Sequence, residues 1–370
     1  MKLKQISSID SHYLVKELQV LKDSRVDKIY QPEKNIIIFS FYKTNVGKKI
    51  LKIIIGQAFF LVEDKEAYET LGFGMFLRKY IDNNFIYNIS QIEPERILKL
   101  SFKVKDSAKH LYIEFFGKGN AILCDENDTI INSFEQHEFK DRTIKPKVRY
   151  KHPLMKYNIF DLNKNNLADL FKNSKKDTLI TCLAIELGLG GVYSEEVCLL
   201  SNINKNTNPK NIDEKQAESI SDLIKKLISK KTDSKVFYED NTAIDVTPFD
   251  LEFYKENYKK QFTTFSEAVS FFYSQTKEDK GTEFDKSLKN LQRIMEEQKK
   301  ATSNLKEEEK ELREKGELIY HKYNIIKEIL DEINKASKKY SWREIKEKLK
   351  EHTIIKDVNE NERKIVIDLS

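Results

Sequence analysis

Between residues 28 and 134 the chain passes through eight short segments rich in β-branched and aromatic residues: KIYQ, NIIIFSFY, KKILKIII, QAFFLVE, RILKLSFKV, HLYIEFF, GNAILCDE and TIINSF. They form two series of four, separated by a short helical run, GMFLRKYIDN. Within each series the connections are only a few residues long and are punctuated by Pro32, Asn45-Val46-Gly47 and Gly56. Parallel neighbours need a crossover of a dozen or more residues, so these segments predict hairpins and antiparallel sheets. A helix is expected from near Ser8, with Leu14, Leu18 and Leu21 on one face. Residues 1–153 therefore read as an α+β domain.

From residue 154 the pattern turns helical. LADLF, DTLITCLAIEL, YSEEVCLLSNI and DEKQAESISDLIKKLISKK predict a helical module over 154–235. Residues 236–275 return to strand-like sequence in KVFYED and AIDVTPF, then pass into FSEAVSFFYSQ. A heptad register follows over 276–315, with Leu288, Leu291, Met295, Gln298, Thr302, Leu305, Glu309 and Leu312 at its a and d positions. The seam is sparse and its flanks are almost wholly charged, so this helix needs a partner to bury anything. Gly316 is expected to break it. The remainder, 316–370, reads as a small region with an amphipathic helix, LIYHKYNIIKEILDEINKA, a capping box at Ser341–Glu344 and a strand-like RKIVIDLS.

Charged residues make up 34% and hydrophobic residues 39% of the chain. The longest apolar runs fall well short of the ~20 residues a membrane span requires. MKLKQISSID has no apolar signal core. Cys124, Cys182 and Cys198 are scattered, without a CxxC pair, and predict neither disulfides nor zinc. These features point to a cytoplasmic protein without membrane contact. Net charge is +5, but residues 1–60 carry a net +6 and residues 140–176 a net +8. Such concentrations attract polyanions through counterion release; the competing reading is a set of solvated lysine-rich faces.

No catalytic pattern emerges. The six histidines form no HxxxH or HExxH, and there is no GxxxxGK[ST] phosphate loop. The expectation is therefore a non-enzyme, with no metal and no cofactor. One stretch stands out: LAIELGLGGVYSEEV places Gly188, Gly190 and Gly191 within four positions of a chain holding 11 glycines. Glycine permits the positive φ of a sharp helix reversal, and the next helix then offers free N–H groups to a phosphate, as in helix-hairpin-helix modules. A purely packing corner is the alternative, and Glu195 and Glu196 just after the turn favour it, since they can answer the helix dipole themselves.

LAIELGLGGVYSEEVC resembles the GLGGxYxEE run of the NFACT family, the group of nuclear export mediator factor and the bacterial and archaeal ribosome-quality-control factors. Further segments agree in family order: RVDKIYQP, FLRKYI, QIEPERILKL, EFFGKGNAILCDENDTII, DRTIKPKVRYKHP, TPFDLEFY, FSEAVSFFY, GELIYHKYNIIKEIL and YSWREI. The resemblance spans essentially the whole chain. It implies a first domain with the fold of formamidopyrimidine-DNA glycosylases, the helical module standing for their helix-two-turn-helix. It also implies binding to the large ribosomal subunit carrying a stalled nascent chain, recruitment of tRNA, and template-free tailing of that chain. Carried over by motif, the tRNA-binding residues would be Asp10 and the pair Glu95-Arg96, with Glu95 standing where the family usually has Asp. Alternatively, Arg96 would be a structural ion-pair residue. Arg142, Lys145, Lys147 and Arg149, with Gly188, Gly190 and Gly191, are the expected contacts to a nucleic-acid backbone.

Two other functions compete. A glycosylase would need an N-terminal proline nucleophile and a four-cysteine finger, whereas this sequence opens Met1-Lys2-Leu3 and has no CxxC; a catalytically silent nucleic-acid binder on that fold is the milder form. A surface adhesin, after the fibronectin-binding label some members carry, would need export. The family continues past the equivalent of residue 370 with a second coiled-coil helix and an RNA-binding domain, so the chain is expected to be a fragment, a truncated form or a shortened paralogue.

Overall fold

Helix α1 (Ser8–Leu18) opens the computed structural model, which describes residues 4–63, 70, 72–139, 141–153, 155–350, 352 and 354–368, apart from the side chains of 276–293. Ser7 and Asp10 close a reciprocal capping box on α1: the Ser7 hydroxyl accepts from the Asp10 N–H and the Asp10 carboxylate from the Ser7 N–H. Leu14, Leu18 and Leu21 are fully buried, as their spacing predicts.

Nine strands follow in two antiparallel meanders. The first is β1 (Arg25–Glu33), β2 (Ile36–Lys43), β3 (Gly47–Ile54) and β4 (Ala58–Val62). Helix α2 (Gly72–Ile81) then leads to β5 (Phe85–Gln91), β6 (Ile97–Val104), β7 (Ser107–Glu114), β8 (Asn120–Cys124) and β9 (Ile130–Ser133). The sheet order is β4-β3-β2-β1-β5-β6-β7-β8-β9, and the meanders join where Arg25 of β1 pairs with Phe85 of β5. All eight expected runs fall on strands. β5 is an addition, concealed by Asn88 and Ser90 in FIYNISQ. Pro32 does not end β1 as expected: a register shift between Tyr30 and Glu33 accommodates it.

Period-two alternation sends Ile37, Phe39 and Phe41 of β2 and Leu98, Leu100 and Phe102 of β6 into one core with α1. Phe39 stacks on Phe102 at 6.3 Å and Phe59 lies 5.1 Å from Phe115, so the two meanders share this interior. Their loops touch at Gly56 and Gly119, both at positive φ; a Cβ on Gly119 would lie 2.2 Å from the Gly56 nitrogen. On the other face of the second meander, Ile97, Tyr112, Ile122, Cys124 and Ile130 cluster with Ile144 and Tyr150. That cluster lays the basic stretch 141–150 across the sheet; the stretch contains the second strand of a short hairpin of β10 (His137–Glu138) and β11 (Thr143–Ile144).

The helical part comprises α3 (Lys164–Asn173), α4 (Leu179–Thr181) with a π-helical turn over Cys182–Glu186, α5 (Gly191–Leu200) and α6 (Glu214–Ser229). A small sheet of β12 (Lys235–Glu239), β13 (Thr242–Thr247) and β14 (Tyr258–Gln261) follows, in the order β13-β12-β14. Leu170, Leu183, Val197, Ile224 and Phe237 join the same core as the large sheet. The chain thus forms one compact unit over Met1–Lys280 and a second over Gly281–Ser370.

Helix α7 (Phe265–His321) runs 57 residues without a break at Gly316. A helix-interior glycine costs only about 1 kcal/mol, and here i,i+4 pairs Lys310–Glu314 and Arg313–Glu317 flank and span it. Of the heptad positions, Met295, Leu305 and Leu312 are all more than half exposed, while the side chains of Leu288 and Leu291 lie outside the described residues. The second unit ends in α8 (Tyr323–Ser337), α9 (Trp342–Lys348), β15 (Ile355–Asn359) and β16 (Lys364–Ile367). Ile329, Ile333, Ile355 and Val358 form its core, and Ser341 and Glu344 make the expected capping box.

Candidate nucleic-acid interface

The turn Gly188–Gly191 reaches the N-terminus of α1. Gly188 and Gly190 take φ of +79° and +82°, a conformation that lets Leu187 and Leu189 on either side be fully buried. Gly188 packs under Met155, whose methyl carbon would lie 2.6 Å from an added Cβ; a Cβ on Gly190 would rest 3.6 Å from that of Ser7; Gly191 faces open space. Gly190 caps α5 with no side-chain bond. The two carboxylates beyond the turn are engaged elsewhere: Glu195 pairs with Lys205 at 2.8 Å, and Glu196 accepts from the N–H groups of Glu252 and Phe253. The positive end of α5 is therefore not answered by its own acids, contrary to the expectation from sequence.

Tyr193, in the first turn of α5, donates its hydroxyl to Asp10 Oδ1 at 2.6 Å. Lys4 Nζ stands 3.7 Å from Asp10 Oδ2 and 2.5 Å from Asp245 Oδ1, and Tyr254 donates to Asp245 Oδ2 at 2.8 Å. Burial opposes the Lys4 charge, yet Asp10 and Asp245 outweigh it and raise its pKa. Asp10 is fully buried. Its carboxylate is a structural acceptor that joins α1, α5 and the return segment, and its reach toward a bound ligand is limited to its electric field.

The Glu95-Arg96 pair lies where the chain turns from β5 to β6. Ser8 Oγ donates to the Pro94 carbonyl at 2.5 Å, and Gln91 Nε2 donates to Ser8 Oγ, to the Ser8 carbonyl and to the Glu95 carbonyl. The turn is thus strapped to the N-terminus of α1. Gln91 Oε1 is buried without a hydrogen-bond partner among the described residues. Arg96 is half-buried, and its guanidinium makes no hydrogen bond or close ion pair with any described residue. Burial pulls its pKa down, against the favourable charges of Glu95 and Asp10. Glu95 is its counterpart: burial raises its pKa, against His152, Arg96 and Arg142. An ion-pair residue would have closed on a carboxylate; this guanidinium is held in an acidic field with its donors unspent.

The basic stretch divides. Arg142 grips both oxygens of Glu114, at 2.5 and 3.0 Å, while Tyr150 donates to the same carboxylate at 2.9 Å. Burial works against the Arg142 charge, but the hydrogen bonds and attraction of Glu114 raise its pKa. Arg142 is therefore internally committed, unlike the free phosphate contact expected from sequence. Lys145 is exposed beside Glu138 at 3.2 Å. Lys147 and Arg149 are exposed, and their side chains pair with no described residue.

Sequence reasoning missed Gln91, Ser8 and Tyr193 as parts of this arrangement. Tyr193 was within reach, lying inside the glycine-rich run; Gln91 and Ser8 carry no local signal. Among the described residues no group of three or more His, Cys, Asp or Glu is placed to hold a metal ion. Burial pushes the thiols of Cys182 and Cys198 up to about 12 and 11, which leaves them protonated and unreactive near neutrality. No described helix is long and apolar enough to cross a membrane.

The family model described as NFACT N-terminal and middle domains matches residues 7–369. The archaeal Rqc2 homolog aRqcH of Methanocaldococcus jannaschii is 29% identical over 392 residues, covering 99% of this chain and 58% of that protein. The ribosome quality control complex subunit NEMF homolog of Drosophila melanogaster is 27% identical over 243 residues, 64% of this chain and 24% of its own length. The chain thus spans little more than half of the first of these relatives and a quarter of the second. Among solved structures, the fibrinogen binding protein from Staphylococcus aureus superposes with a TM-score of 0.61 at 20% identity, covering 72% of this chain and 98% of that one. At that identity the likeness establishes a shared fold: a mixed α+β unit built on a large antiparallel sheet.

Proposed function

The chain belongs to the NFACT family, and from that membership we propose that it is a ribosome-associated quality-control factor, acting on large ribosomal subunits that hold a stalled nascent chain. In this reading the first unit engages tRNA, and the tRNA it recruits supplies template-free extension of that chain. The relatives' names supply the setting, ribosome quality control. The observation that carries the tRNA contact is Arg96: a half-buried guanidinium in the field of Glu95 and Asp10, with its hydrogen bonds unspent. A planar guanidinium can grip a phosphate through two parallel hydrogen bonds or stack on an unpaired base. Glu95 holds it in orientation and accepts from base or ribose donors, while Asp10 acts from beneath through its field. Lys145, Lys147 and Arg149 supply sequence-independent attraction to the RNA backbone. The α5 N-terminus at Gly190 adds a positive end beside Ser7. The protein assists by positioning and is not itself an enzyme; its site of action is the cytoplasm.

The experiment is co-sedimentation with purified large ribosomal subunits, either vacant or carrying peptidyl-tRNA. Preferential retention on the loaded subunits supports the reading. Equal retention on both, or none on either, counts against it.

A further inference from the structure

We infer that the β10–β11 hairpin is a stacking platform for an unpaired RNA base, with Phe139 as its contact surface. Phe139 directly follows β10 at the start of the connection to β11, and half of it is exposed. Phenylalanine left in solvent on a hairpin normally swings freely. Here the backbone around it is closed by the Phe139 N–H donating to the Arg142 carbonyl at 2.8 Å. The ring lies 5.0 Å from the Arg142 guanidinium, which also lies 5.5 Å from the ring of Phe116. Arg142 in turn is anchored, because both its outer nitrogens bond to Glu114 and Tyr150 bonds to the same carboxylate. A buried ion pair thus serves as the mount for an exposed ring.

The surroundings fit a nucleobase better than an apolar protein partner. His137, also exposed, sets its ring 5.5 Å from that of Phe139, a second flat surface beside the first. Lys145, Lys147 and Arg149 follow within ten residues, all exposed, and the side chains of the last two pair with no described residue. Aromatic rings interleaved with cations that track a phosphate backbone are the physical signature of single-stranded nucleic-acid contact. The platform also lies near the Arg96 site: Arg142 bonds to Glu114, whose cross-strand partner is Ile97, the residue after Arg96. An RNA held at Arg96 would therefore meet Phe139 with a neighbouring unpaired nucleotide. The inference rests on the tRNA reading for the identity of that RNA, not for the chemistry of the platform.

The test is tRNA binding by Phe139→Ala, Phe139→Tyr and Arg96→Ala over a range of salt concentrations. Stacking is worth enough that Phe139→Ala is expected to weaken binding roughly tenfold, with Phe139→Tyr close to the parent. The slope of affinity against salt should stay unchanged, since no phosphate contact is lost. A Phe139→Trp probe in a Trp342→Phe background, which removes the chain's single natural tryptophan, should be quenched by a single-stranded RNA oligonucleotide. Unaltered affinity in Phe139→Ala alongside a loss in Arg96→Ala would overturn the platform and leave the Arg96 site standing. The reverse pattern would uphold the platform and discard the Arg96 site. Loss of ribosomal co-sedimentation with tRNA binding intact would assign Phe139 to a protein contact and overturn the inference.

Discussion

Tyr193 and Asp10 are 183 positions apart and share one hydrogen bond in the interior. That bond explains why a glycine-rich turn is followed by tyrosine: Gly188 and Gly190 bring the first turn of α5 down on α1, and the hydroxyl then satisfies a carboxylate with no access to water. Removing the hydroxyl leaves a buried acceptor short of a partner. Tyr193→Phe is predicted to destabilise the first unit by about 1–3 kcal/mol, measured by urea unfolding. A change below a few tenths would mean that Lys4 and the Ser7 N–H are enough to balance Asp10. The motif was legible as residues, since its glycines and tyrosine could be quoted. Its meaning was not, because nothing local to either segment says that they meet. Arg142 shows the same limit in reverse. Among lysines and arginines it looks like another surface cation, and only the fold reveals Glu114 beneath it.

Helix α1 is the element on which the site is assembled. It carries Ser8 and Asp10 toward the turn, and two residues further His12 stacks on Phe160 at 4.8 Å. Burial, with Lys16 nearby, lowers the His12 pKa to about 4 from its ordinary 6.5. The folded state then binds fewer protons than the unfolded state between these values, so stability is full above 6.5 and is lost as pH falls toward 4. His12 is only partly buried, so the loss is expected to be on the order of 1 kcal/mol between pH 7 and pH 5 after allowing for solvent screening. Urea titrations of parent and His12→Gln at both pH values check this: the parent should lose more. Parallel losses would place the acid sensitivity elsewhere. Element by element, alternation and short connections were sufficient to predict the antiparallel meanders. β5 escaped because polar Asn88 and Ser90 interrupt its apolar signal. The unbroken α7 is not legible from Gly316 alone, because flanking charge pairs and good helix formers on both sides outweigh a single glycine.

Each of the two units has its own buried core, and the described part of α7 in the second unit, a charged helix, leaves its apolar heptad positions largely exposed. Met295, Leu305 and Leu312 gain nothing from packing, so the helix from 294 to 316 depends on propensity and charge pairs alone. Limited proteolysis is predicted to cut there first, within the second unit, leaving the Met1–Lys280 unit intact on the N-terminal fragment. Strong hydrogen-exchange protection throughout 294–316 would contradict this. The functional claim rests on one guanidinium in the larger unit. Its direct test is the tRNA affinity of Arg96→Ala and Arg96→Lys, measured beside their melting temperatures. Losing a charge-assisted pair of hydrogen bonds should weaken binding about tenfold or more in Arg96→Ala. Lysine should rescue it only partly, since a point charge cannot replace the fork. Both variants should melt near the parent, because the Arg96 guanidinium makes no hydrogen bond with any described residue. An Arg96→Ala protein that melts several degrees lower yet binds tRNA normally would show that Arg96 serves the fold and not the ligand.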